Sequence, residues 1–263
     1  MVTKPSLWFD RSLIARVLVG LLGSSALGNG WELRIQERLD AATVRAVPGV
    51  ALLDTLEALT LLPACWIATD LAVVSEHTSA VALLTPDRPD RLQETSVALG
   101  TCRAASEALA RTTIEPFFGV RVREWHRGDQ TSRHPELRLV EDEMALHAPN
   151  ERHHDLGRAW FILTGYPFVS HVLVVHPEVP REYRSMLAPL LRRLGDTLRA
   201  RAAEIASEVA TTQAVDAGRL HAYLSEAVGE LAPRARRAIV EIVRRSGVDL
   251  RAPAPESYRS LSS

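Results

Sequence analysis

Two polar residues, Ser170 and His171, stand inside the apolar run "FVSHVLVV" of this 263-residue chain. An imidazole suits proton transfer near neutral pH, because its ordinary pKa of about 6.5 lies there. His171 is therefore the first candidate for a general base, with a buried, hydrogen-bonded histidine as the alternative. Side chains alternate along a strand, so Ser170 and His171 are expected to point opposite ways, one of them into a site. His153, His154 and His176 are close in sequence, but no pair has the i,i+4 spacing of a helical zinc site. Adjacent histidines diverge in extended chain, so no metal is expected. Asp10 and Asp54 are candidate acids, or else caps and turn formers. The turn "GSSALGNG" lacks the Lys-Ser/Thr of a phosphate loop and the GxGxxG order, so nucleotide binding is not indicated.

The elements that position these residues are legible in outline. Apolar residues make up 46% of the chain, enough for a folded interior. Lys and Arg number 31 against 32 Asp and Glu, which leaves no overall field to hold nucleic acid or an acidic membrane. The basic stretches "RRLGDTLRAR" and "PRARRAIVEIVRR" lie on helical patterns with acids nearby and read as solvated faces. Two cysteines make no disulfide framework, so a reducing, cytoplasmic setting is the simpler expectation. "RSLIARVLVGLLGSSALGNG" has the look of a short secretory signal, yet Leu13, Val17 and Leu21 also fit an amphipathic helix. It is too short and glycine-rich for a membrane span.

Strands are expected at "WELRIQ", "GVALLD", "CWIATDLAVVS", "SAVALLT", "SVALG", "VRVREWH", "LRLVEDEMAL" and "FVSHVLVVH". Helices are expected at 11–23, at "TCRAASEALARTTIE", and over the long 3–4 pattern from Leu187 to Val209. Two more follow, at "AGRLHAYLSEAV" and from Pro233 to Gly247; the tail "RAPAPESYRSLSS" carries no packing signal. Strands alternating with helices predict an α/β fold with largely parallel pairing. A middle unit flanked by two clear strands is the layout of two hinged lobes, 1–85 with 169–263 and 86–168, that bind a ligand between them.

The succession "GVALLDTLEAL", "SAVALLT", "SVALGTCRAASEAL" and "HDLGRAWFILTGYPFV" resembles the chorismate dehydratases of menaquinone biosynthesis by the futalosine route. The resemblance runs from about residue 49 to 250 and is most specific at "DLGRAWFILTGYPFV", where Tyr166 replaces a Leu. It implies a type II periplasmic-binding-protein-like fold, each lobe a mostly parallel sheet flanked by helices, with two hinge crossings. The sequence also departs from the family. Its Ser-Tyr-Leu-Asn signature, whose Asn acts at the substrate, gives way to "FDRSLIARVLVGL". Pro-Ser becomes Asp54-Thr55, and the Gly-Asp after a middle-lobe strand becomes Asp142-Glu143.

What the resemblance implies is a cytoplasmic lyase that needs no cofactor and takes a small dicarboxylate into the cleft. Helix N-termini offer carboxylates unpaired N–H groups. Thr101, Cys102 and Ser106 match the family's polar helix start, and Arg103, Ala104 and Ala105 dilute it. Ser75, Thr78 and Ser79 face them from the other lobe, with Thr55 and Ser170 as further contacts. His171, named from its own chemistry where the family prefers Ala, and Ser75 are the expected catalytic residues. The rivals are a non-catalytic carboxylate binder on the same scaffold and the related enzyme that processes cyclic futalosine. A homodimer is left open; nucleic acid and membrane partners are not expected.

Overall fold

A computed structural model describes residues 4–26, 30–85, 88–127, 136–147 and 152–263. Parts of the expected turns "GSSALGNG" (27–29) and "PDRPDR" (86–87) lie outside the described residues. The order is β1 (Ser6–Phe9), α1 (Leu13–Ala26), β2 (Glu32–Ile35), α2 (Ala41–Ala46), β3 (Gly49–Asp54), α3 (Thr55–Leu59) and β4 (Trp66–Ser75). Next come β5 (Val81–Thr85), β6 (Glu94–Ala98), α4 (Ala104–Phe118), β7 (Arg121–His126), β8 (Glu136–Glu141), α5 (Glu143–Leu146) and β9 (Arg152–Asp155). The chain ends with α6 (Leu156–Thr164), β10 (Phe168–Val175), α7 (Arg181–Thr212), α8 (Ala217–Glu226), β11 (Val228–Gly229), α9 (Pro233–Ser246) and β12 (Tyr258–Arg259).

Two separate sheets result. The first runs β11-β4-β10-β3-β1-β2, with β12 also on β4; the second runs β7-β6-β8-β5-β9. Neither is mostly parallel, contrary to expectation. β10 is antiparallel to both β3 and β4, and β5 to both β8 and β9. These strands are the chain's passages between lobes, and a strand returning through a hinge enters its sheet from the far end. Val81–Thr85 also belongs to the second sheet, so the expected boundary at 85 lies one strand too late. β3 and β10 form the buried centre of the first sheet, which explains their nearly unbroken apolar sequence.

The 32-residue α7 buries Leu187, Leu191, Leu194, Leu198 and Ile205, a stripe with helical spacing, against the first sheet. α1 adds Leu13, Ile14, Leu18 and Leu22 to the same core, so the segment that looked like a signal is part of a lobe. A second core passes between lobes, from Leu53, Ile67 and Val172 to Leu83, Val97 and Leu139. Several segments escaped the sequence reading, among them α2, β9, α6, β1 and the C-terminal tail. β1 is a four-residue strand with too little pattern to detect, and the C-terminal tail packs. Tyr258–Arg259 pairs with β4, Leu261 is buried, and its N–H donates to Asp70 at 2.7 Å.

Candidate functional site

The crossings between lobes are fastened to one another by the most family-specific motif. Asp155 caps α6, accepting from Arg158 N–H at 2.9 Å. Its carboxylate also accepts from Ser79 N–H at 2.7 Å and Ser79 Oγ–H at 2.9 Å, on the 75–81 crossing. Gly157 lies so close that a Cβ there would stand 2.6 Å from Ser79 Cβ. Gly165 ends α6 in the left-handed conformation (φ 69°), and Trp160 Nε1–H donates to Pro167 O at 3.1 Å. Trp160 and Phe168 are both buried, Phe168 as the first residue of β10. "DLGRAWFILTGYPF" is thus a fastening of the hinge.

The cleft lies beside that fastening. Asp54, Ser75, Ser79, Arg103, Ser106, Asp142, Ser170, His171 and Tyr223 contribute to its walls, drawn from both lobes. Its free room is about 10 Å³, roughly the space of one water. A β-bulge explains the orientation of the central pair. Val169 pairs with Val74 and His171 with Val73, so Ser170 is the extra residue. The bulge breaks the alternation that placed the two on opposite faces; both line the cleft, and Ser170 Oγ lies 3.0 Å from His171 Nδ1. His171 is 3% exposed, and its Nε2 has no hydrogen-bond partner among the described residues. The closest carboxylate oxygen to that nitrogen among the ion pairs is Asp10 Oδ2, at 3.6 Å.

Arg103 is the hub. Its guanidinium meets Asp10 at 3.2 Å, Glu141 at 2.9 Å and Asp142 at 2.7 Å. Asp10 follows β1 in the first lobe, so the first of these pairs crosses the cleft; the other two lie within the second lobe. Asp54 makes a second crossing by accepting from Ala105 N–H at 3.0 Å. Glu141 accepts from Arg103 N–H at 3.2 Å and Ser106 Oγ–H at 2.8 Å. The start of α4 is a carboxylate seat, as helix termini predict, and the protein's own Asp54 and Glu141 sit in it.

Charge settles unevenly over this network. Burial alone would raise the Asp10 carboxyl, but His171, Arg103 and Ser12 outweigh it and hold the group well below the usual carboxylate range. Asp54 and Glu141 go the other way: burial pushes both up, against the pull of nearby cations and N–H donors. Burial would also lower Arg103, yet Asp142, Glu141 and Asp10 keep it firmly charged. Asp142 holds its place with φ at 55°, a conformation that favours glycine, and glycine is what the resembled family carries there.

Several expected contacts lie elsewhere. Thr101 is exposed, because α4 begins only at Ala104 with Arg103 as its N-cap. Cys102 is buried with Sγ 3.4 Å from Leu139 O; burial, then Glu141, pushes its thiol up to about 12, so it stays protonated. Thr55 is buried and donates to Val169 O at 2.8 Å, a packing role. Thr78 lines a different cavity, and Ser79 belongs to the walls of both. Ser75, Ser106, Ser170 and His171 do reach the cleft. Sequence reasoning missed Arg103, Glu141, Asp142 and Tyr223 as cleft residues. The available signal was a lone Arg between a strand and its helix, facing acids at the end of another strand. Among the described residues no three His, Cys, Asp or Glu side chains are grouped as metal ligands.

Solved structures share the architecture over nearly the whole chain. A protein of Archaeoglobus fulgidus is 12% identical, with a TM-score of 0.63 over 93% of this chain and 98% of its own. The zinc-bound ligand-binding component of an ABC-type import system from Staphylococcus aureus is 10% identical, with a TM-score of 0.59 over 99% and 98%. A protein described as a periplasmic sulfonate-binding protein from Methylobacillus flagellatus is 8% identical, with a TM-score of 0.57 over 98% and 92%. At such identities the likeness is one of fold, the two-lobed binding-protein fold. No curated protein sequence matches the chain. The pattern of a family described as menaquinone biosynthesis matches residues 34–247, most of the chain, and bears out the resemblance read from the sequence. The chain therefore belongs to the menaquinone-biosynthesis family, which supports a role in that pathway.

Proposed function

We propose that the protein is a chorismate dehydratase-like lyase working in the cleft between its lobes. The observation that carries this reading is the convergence of a buried imidazole and a forked cation on one gap, in a chain of this family. Arg103 offers the planar fork that suits a carboxylate. Nδ1–H of His171 can donate to Ser170, which leaves the Nε2 lone pair free to take a ring proton. Asp10 stands ready to stabilise the imidazolium formed. That imidazolium returns the proton to the departing hydroxyl, so water leaves and the base is regenerated. With room for about one water, substrate entry requires the lobes to part and a substrate carboxylate to displace one of Arg103's own partners.

A second reading has its own support. Four carboxylates (Asp10, Asp54, Glu141 and Asp142) surround one Arg and one His, so the cleft carries more acid than a dicarboxylate site wants. This favours a binder without catalysis, or a ligand other than chorismate such as the cyclic futalosine of the sister enzyme. Purified protein incubated with chorismate, with 3-(1-carboxyvinyloxy)benzoate as the readout, separates these. Turnover that falls at least about 100-fold in His171→Ala supports the lyase. Binding of chorismate without product supports the binder; neither binding nor product removes chorismate as ligand.

A further inference from the structure

A larger cavity than the cleft lies beyond Ser79. It holds about 510 Å³ and is bounded by the 77–79 crossing, the end of α4, β9, α6 and Arg219 of α8. Its chemistry is the reverse of the cleft's. Arg158 and Arg219 both line it, and neither has a carboxylate partner among the described residues. The one side-chain hydrogen bond of Arg219 goes to His147 O at 3.3 Å. His77, His153 and His154 add imidazoles to the walls. His153 is pushed down, first by burial and then by the Arg219 charge, so positive charge crowds this wall.

Among the described residues two acids bear on the cavity, and both are engaged. Asp155 is taken by Ser79 and the N–H of Arg158. Glu226 accepts from the N–H groups of Glu76, His77 and Thr78 and meets His77 Nδ1. The rim is apolar. Ile162 is 60% exposed and Phe117 37% exposed, two of the few large apolar side chains that face water. Phe118 stacks edge-on against His154 with ring centroids 5.3 Å apart. Unpaired guanidinium groups at the wall and bare apolar side chains at the mouth define a ligand with a carboxylate head and a flat ring body.

We propose that this cavity is a second binding site, for an aromatic carboxylate, held by Arg158 and Arg219 with its ring against Phe117 and Ile162. The assignment is independent of the cleft reaction. The test is calorimetric titration of the full-length protein with 2-naphthoate, and with 2-naphthamide as the neutral control. The carboxylate should bind with a Kd on the order of 1 mM or tighter. Arg158→Ala/Arg219→Ala should weaken it at least about tenfold, while His171→Ala in the cleft leaves it unchanged. Ile162→Glu, an exposed substitution that does not threaten folding, should also weaken binding by repelling the anion. Equal affinity for the amide, unchanged affinity in both the double variant and Ile162→Glu, or loss in His171→Ala would each overturn the site. So would the absence of binding at concentrations on the order of 10 mM.

Discussion

Among the carboxylate-centred joints that tie the lobes together, the one at the hinge and the one at Asp10 are built on different principles. At the hinge, Asp155 is satisfied by N–H and O–H donors, and Gly157 lets the second crossing close on Ser79. In the cleft, Asp10 accepts from Ser12 N–H and Oγ–H within its own lobe but meets the other lobe through charge, on Arg103. The hinge joint keeps the family's residues; the cleft joint is where this sequence departs from them. A hydrogen-bonded joint has one geometry and serves as a fixed pivot. An ionic joint built on a cation with three partners can exchange one of them for a ligand. The difference separates the part of the molecule that holds shape from the part that can respond.

The sharpest way to break the comparison is to remove the cation. Arg103→Ala leaves Asp10, Glu141 and Asp142 facing one another with no guanidinium, and Arg103 is only 17% exposed. The expected loss is about 3 kcal/mol, the lower end for breaking a buried ion pair. Chemical denaturation at neutral pH measures it. Arg103→Met combined with Glu141→Gln and Asp142→Asn should lose less than Arg103→Ala, because Asp10 is then the one carboxylate of the three left without the guanidinium. A triple variant as unstable as the single one would mean that Arg103 acts by packing.

The hinge should break by sterics instead. Gly157→Ala places a Cβ 2.6 Å from Ser79 Cβ and 2.7 Å from its Oγ, a contact that no rotamer relieves. A destabilisation of about 2 kcal/mol is expected. Ser79→Gly removes the atoms in the way, so the double variant should recover part of the loss. Additive losses in that cycle would place the strain elsewhere.

Both the hinge and the cleft were legible only in part. Of the hinge motif the apolar strand was expected, while the Asp155 cap, α6 and its Gly165 end were not, although all are local to residues 155–175. β3 and β10 were legible as apolar runs, and the long α7 as a repeated stripe. The cleft was half legible. Ser75, Ser106, Ser170 and His171 could be named from their own segments, but Arg103 could not. Its importance depends on Asp10, Glu141 and Asp142 arriving from three other places, and no local pattern encodes that meeting. The bulge at Ser170 was hidden for a related reason, since it is defined by pairing with Val73 and Val74. The start of α4, where a ligand carboxylate was expected, meets the protein's own Asp54 and Glu141.

The smallest effect sharpens the contrast through pH. Asp54 is pushed up, chiefly by burial, so the folded protein binds this proton more tightly than the unfolded chain does. Below the unfolded carboxyl pKa of about 3.9 the group costs nothing. As pH rises through the folded value, the unfolded state is favoured by the charge it can hydrate, and the native state loses stability. Asp54→Asn removes that penalty and keeps an amide oxygen to cap α3, but its NH2 group cannot accept from Ala105 N–H as Asp54 Oδ2 does. Relative to the native protein, the variant should therefore gain in melting temperature as pH rises from about 4 to about 7. Asp10 has the opposite sign: its lowered carboxyl stabilises the fold above the unfolded value and loses that contribution as pH falls. Asp10→Asn should accordingly melt below the native protein at pH 7. If thermal scans showed both substitutions moving in the same direction relative to the native protein between about pH 4 and 7, the two cleft acids would not be the opposed pair that their surroundings make them.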